Sequence, residues 1–426
     1  MRREDLCEWL RQPYTLERGG GVVHVDDADY QNLWFVVPPS PPVDIPPNMP
    51  RGVIARANDL LSSRPHWREA SQRDRLAALL LSRREAVSSS RMEGTWSTID
   101  NVLTPMDVYD EGEGKSDHAA VRGYATALEQ ALSIIEREGI QALNESLVCL
   151  LHEMFMSKDP TYIYPAGQVR ESGLPGSIVQ IGGGGRKEDS VYNPAPPEHV
   201  MRTLQEVMAW MRDDIVIEMG DAGMGMTLPV RMAIGHAHFE AVHPFPNGNG
   251  RVGRMLWPLQ MMLYGRLPLY LSGYIETHQD GYSRALQKAQ KQLKYHDIVT
   301  FICEAVMASH SEEVLTKRAI GMLPEKWALQ GRFRRGSSAA LALEVLVETP
   351  IITMTMLQKR LAVSAPAASR AVKQLESADV LRERTGHKRN RVFAAEEVIE
   401  ILGRPFGEDP DLAQKRAFVR MTAKEV

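Results

Sequence analysis

The sequence predicts a mainly α-helical protein with a short β-hairpin near its middle and a small separate domain towards its C-terminus. Apolar residues recur at helical spacing in most segments between residues 54 and 310. A short apolar run followed by four glycines, 182–185, is typical of a hairpin turn. From residue 337, three short helical patterns precede a basic hairpin pattern, which indicates a second compact unit.

Length and composition indicate an ordinary globular protein. The 426 residues allow two or three domains, and a net charge of −4 with 43% hydrophobic residues is typical of soluble chains. No apolar run approaches the roughly 18 residues of a membrane span, and the N-terminus lacks an apolar signal core. Three well-separated cysteines fit a reducing compartment. We therefore expect a cytoplasmic protein without membrane contact.

The segment from His243 to Arg254 contains the residues best suited to chemistry. Its sequence is His-Pro-Phe-Pro-Asn-Gly-Asn-Gly-Arg-Val-Gly-Arg. A helical pattern precedes it over residues 230–242, and Pro244 disfavours helical geometry at the residue before it. We expect the helix to stop there and to leave the imidazole of His243 at its end.

The second half of this segment predicts an anion-binding helix start. Gly248 and Gly250 allow the backbone to turn tightly and to expose its amides, and a new helix should begin near Asn249. Such a start presents unpaired N–H groups and a positive dipole end, which suit a phosphate. Arg251 and Arg254 are three residues apart, so we expect them to share one face. A base, an anion site and two arginines are typical of phosphoryl or nucleotidyl transfer.

Two other interpretations compete with a transfer site. A purely structural turn between core helices would explain the glycines but not the two arginines. A zinc site could use His236, His238 and His243, because positions 236 and 243 share a helical face. His238 lies off that face, and no cysteine is near. The transfer site is the favoured interpretation.

The segment resembles the signature of the Fic family, His-Pro-Phe-x-(Asp/Glu)-Gly-Asn-Gly-Arg-x-x-Arg. The resemblance implies a protein adenylyltransferase that transfers AMP from ATP to a Ser, Thr or Tyr hydroxyl of a target protein, with His243 as the general base. Backbone amides of the turn would hold the phosphates, both arginines would neutralise the pyrophosphate, and a tyrosine would line the adenine pocket. The nucleotide-binding residues that it implies are Gly248, Asn249, Gly250, Arg251, Arg254 and Tyr282.

The sequence departs from this signature at Asn247, where the family usually has a carboxylate. The resemblance implies Mg²⁺ or Mn²⁺ at this position, and a neutral amide oxygen should bind such a cation more weakly. Removal of AMP, or transfer of another nucleotidyl or phosphoryl group, therefore stays open as an alternative reaction.

A second motif, Ser89-x-x-x-Glu93-Gly94, ends an upstream helical pattern, with Gly94 expected to cap the helix. A glutamate in a last turn opposes the helix dipole unless a cation compensates it. The motif resembles the inhibitory helix of autoinhibited Fic proteins, which implies that Glu93 pairs with Arg254 and blocks its contact with the γ-phosphate. A solvated surface glutamate is the other interpretation.

The expected hairpin resembles the Fic flap, which aligns a target segment beside the active site by strand addition. The matching pattern is Arg170 followed by Val-x-Ile-Gly-Gly, and a plain surface hairpin explains the glycines equally well. The resemblance implies target contacts by Val179, Gln180, Ile181 and Gly182.

The C-terminal unit resembles a winged helix-turn-helix. Residues 331–391 contain twelve Lys and Arg against five Asp and Glu, a net +7 in a chain of net −4. This asymmetry suits nucleic acid, although winged helices also dock proteins. We expect DNA contacts by Arg370 and Lys373 on the recognition helix and by Lys388 and Arg389 on the wing. A transcriptional regulator whose Fic core senses nucleotide is the alternative function.

The partners that these resemblances imply are ATP, a target protein with a hydroxyl side chain, the protein itself as a target, DNA, and a second copy in a homodimer.

Together the patterns along the chain predict six segments. The segments are an extended and helical N-terminus (1–65), the inhibitory helix region (66–110), the Fic core (111–310), a linker helix (311–336), the winged helix (337–404) and a tail (405–426).

Overall fold

Helices dominate the structure, which is a computed structural model, and two small antiparallel sheets accompany them. The mainly α-helical class is thereby confirmed. The residues described are 1–105, 114–183, 185–212, 226–386 and 390–422. Among them, no helix combines the length and the apolar run that crossing a membrane requires.

The bounds of the elements follow the chain in order. The strands are β1 Gly21–Val23, β2 Phe35–Val37, β3 Ile351–Thr353, β4 Arg382–Glu383 and β5 Val392–Ala394. The helices are α1 Arg51–Ser63, α2 Gln72–Arg91, α3 Ile99–Leu103, α4 Asp117–Glu138, α5 Glu145–Met156, α6 Pro197–Met211, α7 Leu228–Val242, α8 Asn249–Leu263, α9 Ser272–Thr277, α10 Gln279–Gln292, α11 His296–Gly331, α12 Ser338–Glu348, α13 Met354–Leu361, α14 Ala365–Ser377, α15 Glu396–Gly403 and α16 Pro410–Thr422.

Helices α7 and α8 lie between two apolar clusters. Every residue of α7 is buried. Ile234 and Trp257 join the cluster formed with α1, α10 and α11. Phe239 and Leu256 join the other cluster, which is formed with α2, α4, α5 and α6. Full burial of a large apolar side chain contributes about 1.5–3 kcal/mol, so the loop between these helices has rigid supports on both sides.

Helix α2 ends in a Schellman motif. The amide of Thr95 donates to the carbonyl of Ser90 at 3.1 Å, and the amide of Gly94 donates to that of Arg91 at 3.0 Å. Gly94 has a φ of +78°, which favours glycine. The prediction that Gly94 caps this helix is confirmed, and the motif holds Glu93 in the turn just beyond the last helical residue.

The long helix α11 differs from the separate linker helix expected over residues 311–336. It begins inside the core at His296 and continues past Pro324. Two contacts hold the middle and the second half of α11 against the C-terminal elements. Trp327 Nε1 donates to Glu397 Oε2 at 2.5 Å, and Arg404 Nη2 lies 2.6 Å from Glu312 Oε1. This packing offsets the backbone hydrogen bond that proline cannot donate.

The C-terminal elements run in the order α12, β3, α13, α14, β4, β5, with a sheet order of β3-β5-β4. Thr353 caps α13, because its Oγ1 accepts from the amide of Met356 at 3.2 Å. The winged-helix assignment of this unit stays a prediction. The expected tail contains a further helix, α16, over residues 410–422.

Candidate active site

The signature loop has the backbone geometry that its sequence predicts. His243 follows α7 directly in a left-handed conformation with φ +53°, and α8 begins at Asn249. Asn249 closes the turn, since the amide of Phe245 donates to its Oδ1 at 2.9 Å and its Nδ2 donates to the Phe245 carbonyl at 2.8 Å. Gly248 precedes α8 with φ +84°. The imidazole therefore stands at a helix end, opposite a helix start.

Arg170 connects this loop to the neighbouring segments. Its buried guanidinium donates to the carbonyl oxygens of His243, Ser177 and Ala195, each at 2.8 Å. Burial lowers its pKa to about 9, which leaves it charged at neutral pH. One side chain thus fixes the position of His243 relative to the expected flap.

A cavity of about 270 Å³ opens beside His243. It brings together side chains and backbone from the signature loop, the turn after α2, the expected flap and α10. The predicted site residues that line it are Glu93, Ile181, His243, Asn247, Gly248, Asn249, Gly250, Arg254 and Tyr282.

The imidazole of His243 is neutral at physiological pH. Burial lowers its pKa to about 3, and the charge of Arg170 acts in the same direction. A neutral imidazole has a lone pair with which to accept a proton, so His243 has the protonation state that a general base requires.

Arg254 and Glu93 form the ion pair that the two motifs predict. Arg254 Nη2 lies 2.7 Å from Glu93 Oε1. The same guanidinium donates from Nε to Ser89 Oγ at 2.8 Å and from Nη2 to the Ser89 carbonyl at 3.0 Å. Burial alone would lower the pKa of Arg254, but Glu93 and neighbouring tyrosines raise it above its usual range. Residues at the end of α2 and in the turn after it therefore bind the guanidinium of Arg254 near the start of α8.

Gly250 has a role that differs from the backbone freedom predicted for it. It lies in the first turn of α8 and not among the residues with positive φ. A Cβ at this position would collide with Glu93 Oε1 and stand 2.8 Å from Arg254 Nη1. The absence of a side chain gives Glu93 room to reach Arg254.

Arg251 does not line the cavity with Arg254, although the spacing predicts a shared face. It is buried, with Nη1 3.3 Å from Asp159 Oδ2. Burial would raise the pKa of Asp159, but hydrogen bonds from Thr161 and the charge of Arg251 lower it below its usual range. Asp159, which follows the end of α5, thus holds this guanidinium outside the cavity. No sequence pattern indicated Asp159.

Two of the three histidines in the alternative zinc site are bonded to tyrosines. His236 Nε2 lies 2.5 Å from Tyr282 Oη, and His238 Nε2 lies 2.8 Å from Tyr295 Oη. In the part of the chain that the structure describes, no group of three or more His, Cys, Asp or Glu residues could hold a metal ion. The first of these contacts orients Tyr282 at the cavity wall.

Asn247 is committed to the loop. Its Oδ1 accepts from the amide of Gly248 at 2.7 Å, and its carbonyl oxygen lies 3.0 Å from His152 Nε2. It carries no charge, and one lone pair of its amide oxygen is already used. Asn247 therefore offers a cation a neutral oxygen with one remaining lone pair, which is a weaker ligand for Mg²⁺ or Mn²⁺ than a carboxylate.

Glu240 is a cavity residue that sequence reasoning missed. It lies one turn before His243, and its Oε2 is 3.8 Å from the Nδ1 atom of that histidine. Burial raises the pKa of Glu240 to about 8, against the opposing effect of Arg254, so the carboxyl group is largely protonated at pH 7. Its spacing of three residues from His243 was the available signal.

In the described part of the expected flap, which excludes residue 184, the chain forms a single β-bridge and not a hairpin of two strands. Ile181 and Tyr192 pair through hydrogen bonds of 2.8 and 3.1 Å. Gly182 and Gly183 have positive φ, which bends the chain away before a ladder can extend. Gln180 Nε2 holds the turn by donating to the Lys187 carbonyl at 2.8 Å. Val179 and Gly182 do not line the cavity, whereas Ile181 does.

The residues predicted to contact DNA are only partly described. Arg370 and Lys373 are exposed and three residues apart on α14. Lys388 and Arg389 lie outside the described residues. Two other basic residues of this unit are already paired: Arg384 with Asp100 of α3, and Arg391 with Glu376 of α14.

Comparison with known proteins finds similarity in two regions of the chain. Residues 142–261 match the Fic/DOC family model, and residues 54–133 match the model of the Fic/DOC family N-terminal region. Over 93 residues the chain is 34% identical to protein adenylyltransferase fic-1 of Caenorhabditis elegans. This match covers 22% of this chain and 16% of that protein. Over 113 residues it is 30% identical to a probable protein adenylyltransferase of Aquifex aeolicus (strain VF5), covering 25% and 31%.

These matches span less than a third of either curated relative. Among solved structures, a Fic family protein from Desulfovibrio desulfuricans G20 is similar at a TM-score of 0.47 and 18% identity, over 83% of this chain and 98% of that one. Residues 54–133 and 142–261 are thus similar to the two Fic/DOC family models, and part of the second region is similar to protein adenylyltransferases.

Proposed function

We propose that the chain is a protein adenylyltransferase, which transfers AMP from ATP to a hydroxyl side chain of a target protein and is autoinhibited by Glu93. One observation carries this proposal. A neutral histidine, the backbone amides of a helix start and an arginine already paired with a carboxylate meet in one cavity. The homology to protein adenylyltransferases supports the same reaction class.

In this reaction the hydroxyl oxygen of the target attacks the α-phosphorus of ATP, and pyrophosphate leaves. His243 Nε2 accepts the hydroxyl proton, for which the lowered pKa keeps the imidazole unprotonated beforehand. The amides of Gly248, Asn249 and Gly250 lie at the N-terminal end of α8, where the helix dipole favours phosphate oxygens.

The cavity wall beyond the loop is suited to a planar base. Tyr282, Leu286 and Met92 line it, and Tyr282 is oriented by its bond to His236. An adenine ring bound here would make stacking and apolar contacts with this wall. It would also displace water from the apolar surface, which contributes to binding. Ile181 also lines the cavity, and because its own N–H and C=O are bonded to Tyr192, an extended target segment would pair with the backbone of its neighbours Gln180 and Gly182.

Autoinhibition follows from the occupation of Arg254. While its Nη2 is bonded to Glu93, this guanidinium cannot bind the γ-phosphate of ATP. The nucleotide then binds with its α-phosphate out of line with the hydroxyl. Misplacement of a reacting atom by about 1 Å can reduce a rate by about 100-fold. Release of Glu93 would leave Arg254 free to bind the γ-phosphate.

The test of the reaction uses the variant His243→Ala in the full chain. Purified protein is incubated with cell extract and ATP labelled at the α-phosphate, and nucleotide binding is measured by calorimetry. We expect labelling of protein to disappear while ATP still binds, because the phosphate contacts come from residues 248–254. Loss of ATP binding in a variant that remains folded would contradict the role of His243 as the base.

A second candidate function, DNA binding by the C-terminal unit, is favoured by Arg370 and Lys373. Both are exposed and suitably spaced to contact adjacent phosphates from one helix face. A gel-shift titration of the full chain at several salt concentrations, with Arg370→Ala plus Lys373→Ala as the matched variant, tests this. Failure of the wild type to shift any DNA at low salt, including its own upstream region, would favour protein docking.

A further inference from the structure

Helix α11 exposes an apolar stripe to solvent. Val314, Leu315, Met322 and Leu329 are 50%, 45%, 48% and 74% exposed. They recur at seven- or eight-residue intervals and so lie along one face of the helix. At 1.5 Å per residue, the stripe is about 22 Å long. Several large apolar side chains exposed on one face of a helix make that face a candidate interaction surface.

The stripe continues into a groove between α11, α2 and α12. This groove has a volume of about 430 Å³, and apolar side chains such as Leu76, Leu80 and Val347 line it. Gly321 lies at its edge, where a Cβ would have no other atom within 4 Å. The backbone of α11 is therefore open to close approach by another helix.

Two opposite charges stand in the middle of the stripe. Arg318 and Glu325 are exposed, and they are seven residues apart on the face that also carries the apolar side chains. Neither forms an ion pair with any residue that the structure describes. A second surface that offers a negative charge to Arg318 and a positive charge to Glu325 would complement this face.

We propose that α11 pairs with α11 of a second copy of the chain in an antiparallel dimer, around a two-fold axis between Gly321 and Met322. In a two-fold dimer, the contact of one residue with another is made twice. This axis places Arg318 opposite the partner's Glu325 and places Leu315 opposite the partner's Leu329. Both charges and both large apolar side chains are thereby matched.

The same axis brings the small residues along one edge of the stripe against the same edge of the partner. Gly321 faces its own copy, and Val314 faces the partner's Ala328, so small residues allow the two backbones to approach closely. Met322 meets its own copy on the wider side. A parallel pairing would instead oppose Arg318 to a second Arg318 and Glu325 to a second Glu325, and like charges disfavour it. The surface is self-complementary in the antiparallel orientation.

Charge reversal tests the pairing in the full chain, with association measured by sedimentation across micromolar concentrations. Arg318→Glu and Glu325→Arg, each alone, should weaken dimerisation by at least about tenfold, because each creates two like-charged contacts per dimer. The double variant should restore the wild-type affinity. A monomeric wild type, or a dimer that neither single variant weakens, would overturn the proposal.

Cysteine cross-linking tests the orientation independently. In the antiparallel dimer Met322→Cys should form a disulfide with its own copy, whereas Leu329→Cys should do so only when mixed with Leu315→Cys. The wild-type chain, with its three native cysteines, is the control for unrelated disulfides. Self-cross-linking of Leu329→Cys as efficient as that of Met322→Cys would indicate a parallel pair and overturn the proposal. The outcome does not depend on which reaction the active site catalyses.

Discussion

Arg251 and Arg254 lie one turn apart on α8, and each is paired with one carboxylate, yet the surroundings of the two carboxylates differ. The side chain of Asp159 is 4% exposed, whereas that of Glu93 is 28% exposed and borders the cavity. A buried pair without access to solvent or ligand is suited to holding structure. In a pair at a cavity wall, the arginine can exchange the carboxylate for a phosphate group of a ligand. Such a pair is suited to regulating activity.

The largest effect should come from removing the buried carboxylate. Asp159→Ala leaves Arg251 charged and enclosed, and breaking a buried pair in this way costs about 3–5 kcal/mol of unfolding free energy. Glu93→Ala should cost about 1 kcal/mol, because Arg254 keeps its bonds to Ser89 and borders a cavity that water can enter. Urea unfolding of both variants measures the difference. Equal costs would contradict the distinction between the two pairs.

The next effect concerns the arginine at the cavity. Arg254→Ala, made in the Glu93→Gly variant, should reduce AMP transfer by about 100-fold, because the phosphate contact is lost together with the inhibitory one. Arg254→Lys should recover part of the loss, since it keeps a positive charge without the planar fork. Initial rates with α-labelled ATP measure both. A double variant as active as Glu93→Gly alone would show that Arg254 does not contact the phosphates.

The smallest effect is expected from acidification. The pKa of His243 is lowered from 6.5 to about 3, so the imidazole stays neutral as the pH falls through the usual histidine range. The transfer rate of Glu93→Gly should therefore be nearly constant from about pH 7.5 to about pH 5.5, where a histidine of ordinary pKa would be mostly protonated. The pH profile at saturating ATP measures this. A fall with a midpoint near 6.5 would mean that burial does not shift His243.

Local rules predicted the elements that form the site. Pro244 ended α7 at His243, and Gly94 ended α2, because both effects depend only on neighbouring backbone geometry. The pairing of Glu93 with Arg254 was predictable for a different reason, since two motifs that occur together in one family are 161 residues apart in this chain.

Features that depend on distant packing were not predictable. Asp159 lies 92 residues from Arg251, and no periodicity or spacing connects them. The same limit applies to Gly250, whose lack of a side chain matters only because Glu93 arrives from another helix. The continuity of α11 from the core to Gly331 was likewise not predictable, because it depends on distant contacts such as that of Trp327 with Glu397.

The central claim is that Glu93 suppresses AMP transfer by occupying Arg254. The most direct measurement compares self-labelling of wild type, Glu93→Gln, Glu93→Gly and Glu93→Gly combined with His243→Ala, using ATP labelled at the α-phosphate. We expect Glu93→Gly to exceed the wild type by up to about 100-fold, Glu93→Gln to show a smaller increase, and the double variant to show none. A Glu93→Gly variant no more active than the wild type, over a range of Mg²⁺ and Mn²⁺ concentrations, would contradict the claim.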